Sequence, residues 1–212
     1  MRVLVFGDSI AYGYNDIEGG WPARIRKYYD TQRLKHGAAE QPSLYNLGID
    51  ADTSLDVLER VEAETSARER ADNTALIIAI GVNDTLIRDG EEISNPRKFV
   101  ENLHEIAAVA RYYTDKMLFV GLTPVDEDRC NKPGPDGVEY YNQRILKFET
   151  ALEQFCEQDG LPFVKLYDVF KQQHELHDLL PDGLHPNEMG HHLIASLVLP
   201  ELHAMLTEPT IS

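Results

Sequence analysis

Short apolar runs and stretches of helical spacing alternate along the chain. Val3-Leu4-Val5-Phe6 has no polar member and is ended by Gly7, the pattern of a strand buried on both faces. From Trp21 to Leu34, apolar or aromatic residues stand at Trp21, Ile25, Tyr28 and Tyr29 above a basic outer face. This predicts a helix, with Pro22 in the first turn, where its missing N–H has no helical acceptor to lose. Leu44 to Leu47 predicts a second strand, stopped by Gly48. Thr53 or Ser54 then caps a helix through Leu55, Leu58 and Val61, with acids in its first turns. Thr74 to Ile80 is the clearest central strand, again stopped by a glycine, Gly81. Asn95-Pro96 opens a helix carrying Phe99, Leu103, Ile106, Ala107 and Ala110. Lys116 to Gly121 predicts a fourth strand. Tyr140 to Cys156 predicts a helix with Ile145, Phe148, Leu152 and Phe155 on one face. Leu161 to Leu166 predicts a fifth strand, and Glu188 to Leu206 a last helix, interrupted near Pro200.

Five strands alternating with helices predict an α/β domain, a parallel sheet with helices on both faces and right-handed crossovers. No repeat or linker divides the 212 residues, so one domain is expected over 1–212. One segment breaks the rhythm. Residues 123–137 hold three prolines, two glycines and four acids, which is long for an ordinary connection. It reads either as a solvated loop or as a lid or substrate wall over the strand ends.

Charge narrows the possible partners. Thirty-six acidic residues against twenty basic ones leave a formal charge of -16. That disfavours nucleic acid and stable association with anionic membranes, both of which need concentrated Lys and Arg. No apolar run approaches the roughly 18 residues of a spanning helix. The opening Met1 to Asp8 is too short for a signal sequence, so a cytoplasmic location is expected. Two cysteines, Cys130 and Cys156, are too few for a zinc knuckle and read as reduced thiols.

In an open parallel sheet, ligands bind beyond the carboxyl ends of the strands. Those ends are polar here: Gly7-Asp8-Ser9, Asn46-Leu47-Gly48 and Gly81-Val82-Asn83-Asp84, joined by Asp182-Gly183-Leu184-His185-Pro186-Asn187 before the last helix. Acyl transfer needs a hydroxyl, a base to take its proton, a carboxylate to orient the base, and donors for the oxyanion. Ser9 can be the nucleophile, His185 the base and Asp182 the orienting group, three residues away. The Ser9 and Gly48 N–H groups and the Asn83 carboxamide can form an oxyanion hole, with glycine at 48 allowing close approach of the substrate. Asp84 is read as structural support behind Asn83. The Gly-x-Ser-x-Gly elbow is absent, since Ser9 lies in Gly7-Asp8-Ser9-Ile10-Ala11.

These four blocks, in this order, resemble the SGNH, or GDSL, hydrolase family: Gly7-Asp8-Ser9-Ile10, Gly48, Gly81-Val82-Asn83-Asp84 and Asp182-Gly183-Leu184-His185. The region of Trp21 and the Pro186-Asn187 pair resemble its bacterial branch. The resemblance implies a flavodoxin-like three-layer α/β/α sandwich with strand order 2-1-3-4-5. It also implies catalytic roles for Ser9, Asp182 and His185, oxyanion roles for Ser9, Gly48 and Asn83, supporting positions at Asp8, Gly81 and Asp84, and no metal or organic cofactor. Ile10-Ala11 departs from the commoner Leu-Thr and leaves the chemistry untouched.

The expected activity is that of a serine esterase on a small-molecule ester, with short, acetyl-type acyl groups favoured by candidate walls at Tyr12, Tyr14, Ile49, Asp50, Leu86, Pro124, Val125 and Leu184. The alternatives are a lysophospholipase or thioesterase, an acyltransferase using the same residues, and a binding domain without turnover. A metal-dependent phosphoesterase drawing on Asp8, Asp84, His185, His191 and His192 is a weaker rival, since His191 and His192 fit the faces of the last helix. Oligomeric state is not legible.

Overall fold

The structure, a computed structural model, describes residues 1–37, 41–70, 73–132, 137–173 and 176–207. Five parallel strands form the main sheet: β1 (Arg2–Gly7), β2 (Ser43–Gly48), β3 (Thr74–Ala79), β4 (Met117–Val120) and β5 (Phe163–Val164), in the order β2-β1-β3-β4-β5. This is the expected sandwich. Five long helices cover it: α1 (Gly20–His36), α2 (Ser54–Arg68), α3 (Pro96–Arg111), α4 (Asn142–Asp159) and α5 (Glu188–Thr207). α1 packs on α5, while α2, α3 and α4 lie side by side.

With helices on both faces, the central strands have no wet side. Val3 to Phe6 and Ala75 to Ile77 are fully buried, each large side chain contributing roughly 1.5–3 kcal/mol. Helix starts follow local chemistry. Thr53 and Asp56 make a reciprocal capping box at α2, and Asn95 Oδ1 accepts the Lys98 N–H at 3.0 Å ahead of Pro96 at α3.

Several elements differ from the pattern-based expectation. The fifth strand is only Phe163–Val164, paired with Phe119 and Val120 of β4. α4 begins at Asn142 and leaves Tyr140 in the preceding loop. α1 buries Tyr29 and turns Tyr28 outward, and α2 buries Val57 and Val61 while exposing Leu55. α5 runs unbroken through Pro200. Pro200 faces solvent, and burial of Ile194, Val198 and Leu202 on either side offsets the lost hydrogen bond. A small antiparallel sheet of Glu91–Glu92, Ile87–Arg88 and Val138–Glu139 was not legible, since two-residue strands carry no period.

The register positions the site. Gly7 pairs with Gly48 on one side and Ala79 on the other. Ser9, the 49–53 loop and the 80–85 segment therefore leave the sheet at one level of its carboxyl edge.

Candidate active site

Ser9 opens a short helical turn, Ser9–Tyr12, directly after β1. Asp8 caps it, its Oδ1 accepting the Ile10 N–H at 2.9 Å. Both residues are almost fully buried. Burial pushes the Asp8 carboxyl up to about 7, against the pull of the Ile10 N–H and of His185. The Ser9 N–H stands at the start of the turn, where no helical acceptor precedes it.

The loop before α5 supplies the imidazole. Asn187 closes that loop by capping α5, its Oδ1 accepting the Met189 and Gly190 N–H groups. Asp182 Oδ1 accepts the N–H groups of Leu184 and His185 at 2.9 and 2.8 Å, and Oδ2 lies 2.8 Å from His185 Nδ1. Burial raises the Asp182 carboxyl, but the His185 ring and these backbone donors outweigh it and hold it well below the usual carboxylate range. A carboxylate accepts only, so Nδ1 carries a proton, and in the neutral imidazole the lone pair is then on Nε2. Nε2 is 2.9 Å from Ser9 Oγ. Tyr14 lies against the ring, 4.5 Å between centroids.

Asn83 sits in a turn, Asn83–Thr85, after β3. Gly81 precedes it at φ +135°, where a Cβ would stand 2.8 Å from the Phe99 ring. Asn83 Nδ2 donates to Asp52 O at 2.9 Å, and its second amide proton has no partner in this bond. Asp84 turns the other way, accepting the Ser54 hydroxyl and N–H at 2.5 and 2.8 Å. Burial raises its carboxyl to about 6, against these bonds.

Gly48, expected to offer an oxyanion-hole N–H, lies at the end of β2 beside the nucleophile turn. Its N–H donates to Asn46 Oδ1 at 3.0 Å. What approaches it is the nucleophile turn: a Cβ there would lie 2.4 Å from Tyr12 N and 2.9 Å from Asp8 O. Among the expected substrate walls, Leu86, Pro124 and Val125 are buried in the core. Tyr12, Tyr14 and Ile49 are exposed, as Asp50 is, and Leu184 borders an open pocket of about 310 Å³. That pocket is lined by Cys130, Val138 and Tyr140 from one segment and Asp182, Leu184 and His185 from another. Residues 133–136 of the singled-out segment lie outside the described residues.

Sequence patterns missed four neighbours. Asn15 Nδ2 donates to Asp182 Oδ2 at 2.7 Å, from a left-handed position that asparagine tolerates. Asn46 Nδ2 donates to Ala11 O at 2.8 Å and ties β2 to the nucleophile turn. Arg60 on α2 spans Asp52 Oδ2 and Gly7 O. Tyr140 donates its hydroxyl to Asn83 Oδ1 at 2.9 Å. Each of the four makes a contact with a residue far away in sequence, and only the Asn46-x-Gly48 spacing is visible in the chain. His191 is buried with Nε2 3.3 Å from Tyr14 O. No group of three His, Cys, Asp or Glu among the described residues is placed to hold a metal ion.

A search of curated proteins finds no match. Solved structures of similar fold include the lipase/acylhydrolase from Enterococcus faecalis, 22% identical with TM-score 0.76 over 96% of this chain and 95% of that one. The psychrotrophic esterase EstA from Pseudoalteromonas sp. is 19% identical, with TM-score 0.70 over 98% and 99%. The acetylxylan esterase Axe2 from Geobacillus stearothermophilus is 17% identical, with TM-score 0.71 over 95% and 93%. At these identities the likeness is one of fold. The sequence model of the GDSL-like lipase/acylhydrolase family matches residues 5–193. Because that match runs from within the first strand into the last helix, the chain belongs to the GDSL-like lipase/acylhydrolase family and is a serine hydrolase acting on esters.

Proposed function

We propose that the protein hydrolyses short-acyl carboxylic esters of small polar alcohols through an acyl-enzyme on Ser9. The observation that carries this is the 2.9 Å approach of Ser9 Oγ to an imidazole whose other nitrogen faces Asp182 at 2.8 Å. His185 Nε2 takes the Ser9 proton as Oγ bonds to the ester carbonyl carbon. Negative charge moves to the carbonyl oxygen, where the Ser9 N–H and the second Asn83 amide proton meet it. The C–O bond to the alcohol breaks, and the alkoxide leaves with the proton from His185. Water, deprotonated by His185, then attacks the acyl-enzyme and releases the acid and Ser9.

The site favours a short acyl chain. The exposed tyrosines Tyr12 and Tyr14 make an open rim, and the pocket at His185 is small for a ligand site. A pocket beside the group that protonates the leaving oxygen suits the alcohol, which leaves little depth for the acyl chain. The acetylxylan esterase of similar fold is consistent with this choice. The test is a p-nitrophenyl ester series from acetate to octanoate, with wild type and Asn83→Ala. kcat/KM should fall as the chain lengthens; a tenfold rise toward octanoate would reverse the substrate assignment. Asn83→Ala should lose about 100–1000-fold in kcat, and a loss below threefold would remove Asn83 from the oxyanion hole.

A further inference from the structure

The carboxamide of Asn83 can present either its nitrogen or its oxygen to a substrate, and only the nitrogen can stabilise an oxyanion. Two neighbours decide the matter. Asp52 O, 2.9 Å from Nδ2, is a backbone carbonyl and accepts only. It therefore requires the nitrogen. The oxygen is then left facing Tyr140, whose hydroxyl at 2.9 Å must donate. Asn83 and Tyr140 are both largely buried, at 8% and 7% exposure, so no bulk solvent competes for either bond. Burial keeps the Tyr140 hydroxyl well above the ordinary tyrosine range, and it remains a donor at any working pH.

Tyr140 is itself held firmly. Its N–H donates to Asn131 Oδ1 at 2.8 Å, and its carbonyl accepts from Asn131 Nδ2 at 2.7 Å. Asn131 follows the helical turn Glu127–Cys130, whose first residue accepts the Asn142 N–H at 2.7 Å through Oε1. Asn142 in turn bonds both the N–H and the carbonyl of Val125. Val125, Glu127 and Asn131 of the segment that breaks the α/β rhythm are thus tied to Tyr140 and Asn142 just beyond it, and this delivers one phenol to one amide. A hydrogen bond accepted at the amide oxygen also polarises the amide and strengthens its N–H as a donor.

We propose that Tyr140 is a positioning residue for the ester hydrolysis: its hydroxyl locks and polarises the Asn83 carboxamide so that the remaining N–H meets the developing oxyanion. The proposal rests on the reading of Asn83 as an oxyanion donor. Tyr140 touches no reacting atom in this role and acts only through Asn83.

The test is a double-mutant cycle on p-nitrophenyl acetate: wild type, Tyr140→Phe, Asn83→Ala and the double variant, each with its melting temperature. Tyr140→Phe should lower kcat about tenfold or more, part of the loss seen on deleting the donor itself, and leave KM within about threefold. In the Asn83→Ala background the same change should cost less than about twofold, because the two residues act as one unit. A Tyr140→Phe loss of equal size in both backgrounds would mean general disturbance of the fold and would overturn the proposal. So would a kcat within twofold of wild type. An Asn83→Ala variant of unimpaired kcat is a different failure, since it removes the oxyanion reading beneath the proposal. 4-Aminophenylalanine placed at position 140 keeps the ring and a donor. It should retain kcat within about threefold and supplies the comparison if Tyr140→Phe does not fold; a loss as large as that of Asn83→Ala would count against the role.

Discussion

Gly48→Ala is the change whose outcome depends most directly on how the site is assembled. The added Cβ would lie 2.4 Å from Tyr12 N, 2.8 Å from Ala11 C and 2.9 Å from Asp8 O, against ordinary contact from 3.4 Å. All three atoms are backbone, so no side chain can swing away. Either β2 or the Ser9–Tyr12 turn must move by about 1 Å, and β2 is held in register with β1 along its whole length. The turn carries Ser9, and its displacement lengthens the 2.9 Å contact with His185. A 1 Å misplacement of a reacting group costs about 100-fold in rate. Overpacking of this kind costs about 1–3 kcal/mol of stability, at roughly 2–4 °C of melting temperature per kcal/mol for a chain this size. The assay is kcat on p-nitrophenyl acetate beside a thermal melt. A loss of about 100-fold is expected in a protein that still folds. An alanine variant within threefold of wild type would refute it, because a glycine needed only for a free N–H would tolerate the methyl group.

Ser54→Ala should lower stability by about 1–3 kcal/mol for each buried group left unpaired, since the hydroxyl donates to Asp84 and accepts from Asn102; an unchanged urea midpoint would contradict this. Stability should also fall as pH rises from about 4 toward 7, because burial holds the Asp8 and Glu149 carboxyls at about 7 and the Asp84 carboxyl at about 6 in the folded chain. The folded state then binds more protons than the unfolded state across that window. Asp8→Asn should make this fall shallower, the rest coming from Asp84 and Glu149, and an equally steep profile in the variant would rule out Asp8 as one of its sources.

Glycine punctuation made much of the site legible. Gly7, Gly48 and Gly81 each mark a strand end, and the parallel alternation brings those ends to one edge. The local Asp182–His185 spacing was equally readable, because three residues suffice to fold a carboxylate onto a ring. Contacts set by long-range packing were not readable. Nothing in Tyr140-Tyr141 separates a helix start from a phenol aimed at a residue 57 positions earlier. Asn46 and Arg60 read as ordinary strand and helix positions, yet both hold the backbone around the nucleophile turn. Gly48 shows the same limit: the sequence marks a place that excludes a side chain, and only the fold reveals that the excluded volume belongs to Tyr12, Ala11 and Asp8.

Whether Ser9 is an activated nucleophile can be read from intact-mass spectrometry after treatment with a fluorophosphonate. Wild type should gain the mass of one phosphonyl group, and folded Ser9→Ala should gain none. No adduct on folded wild type, or an equal adduct on Ser9→Ala, would contradict the assignment of the hydroxyl that lies 2.9 Å from His185.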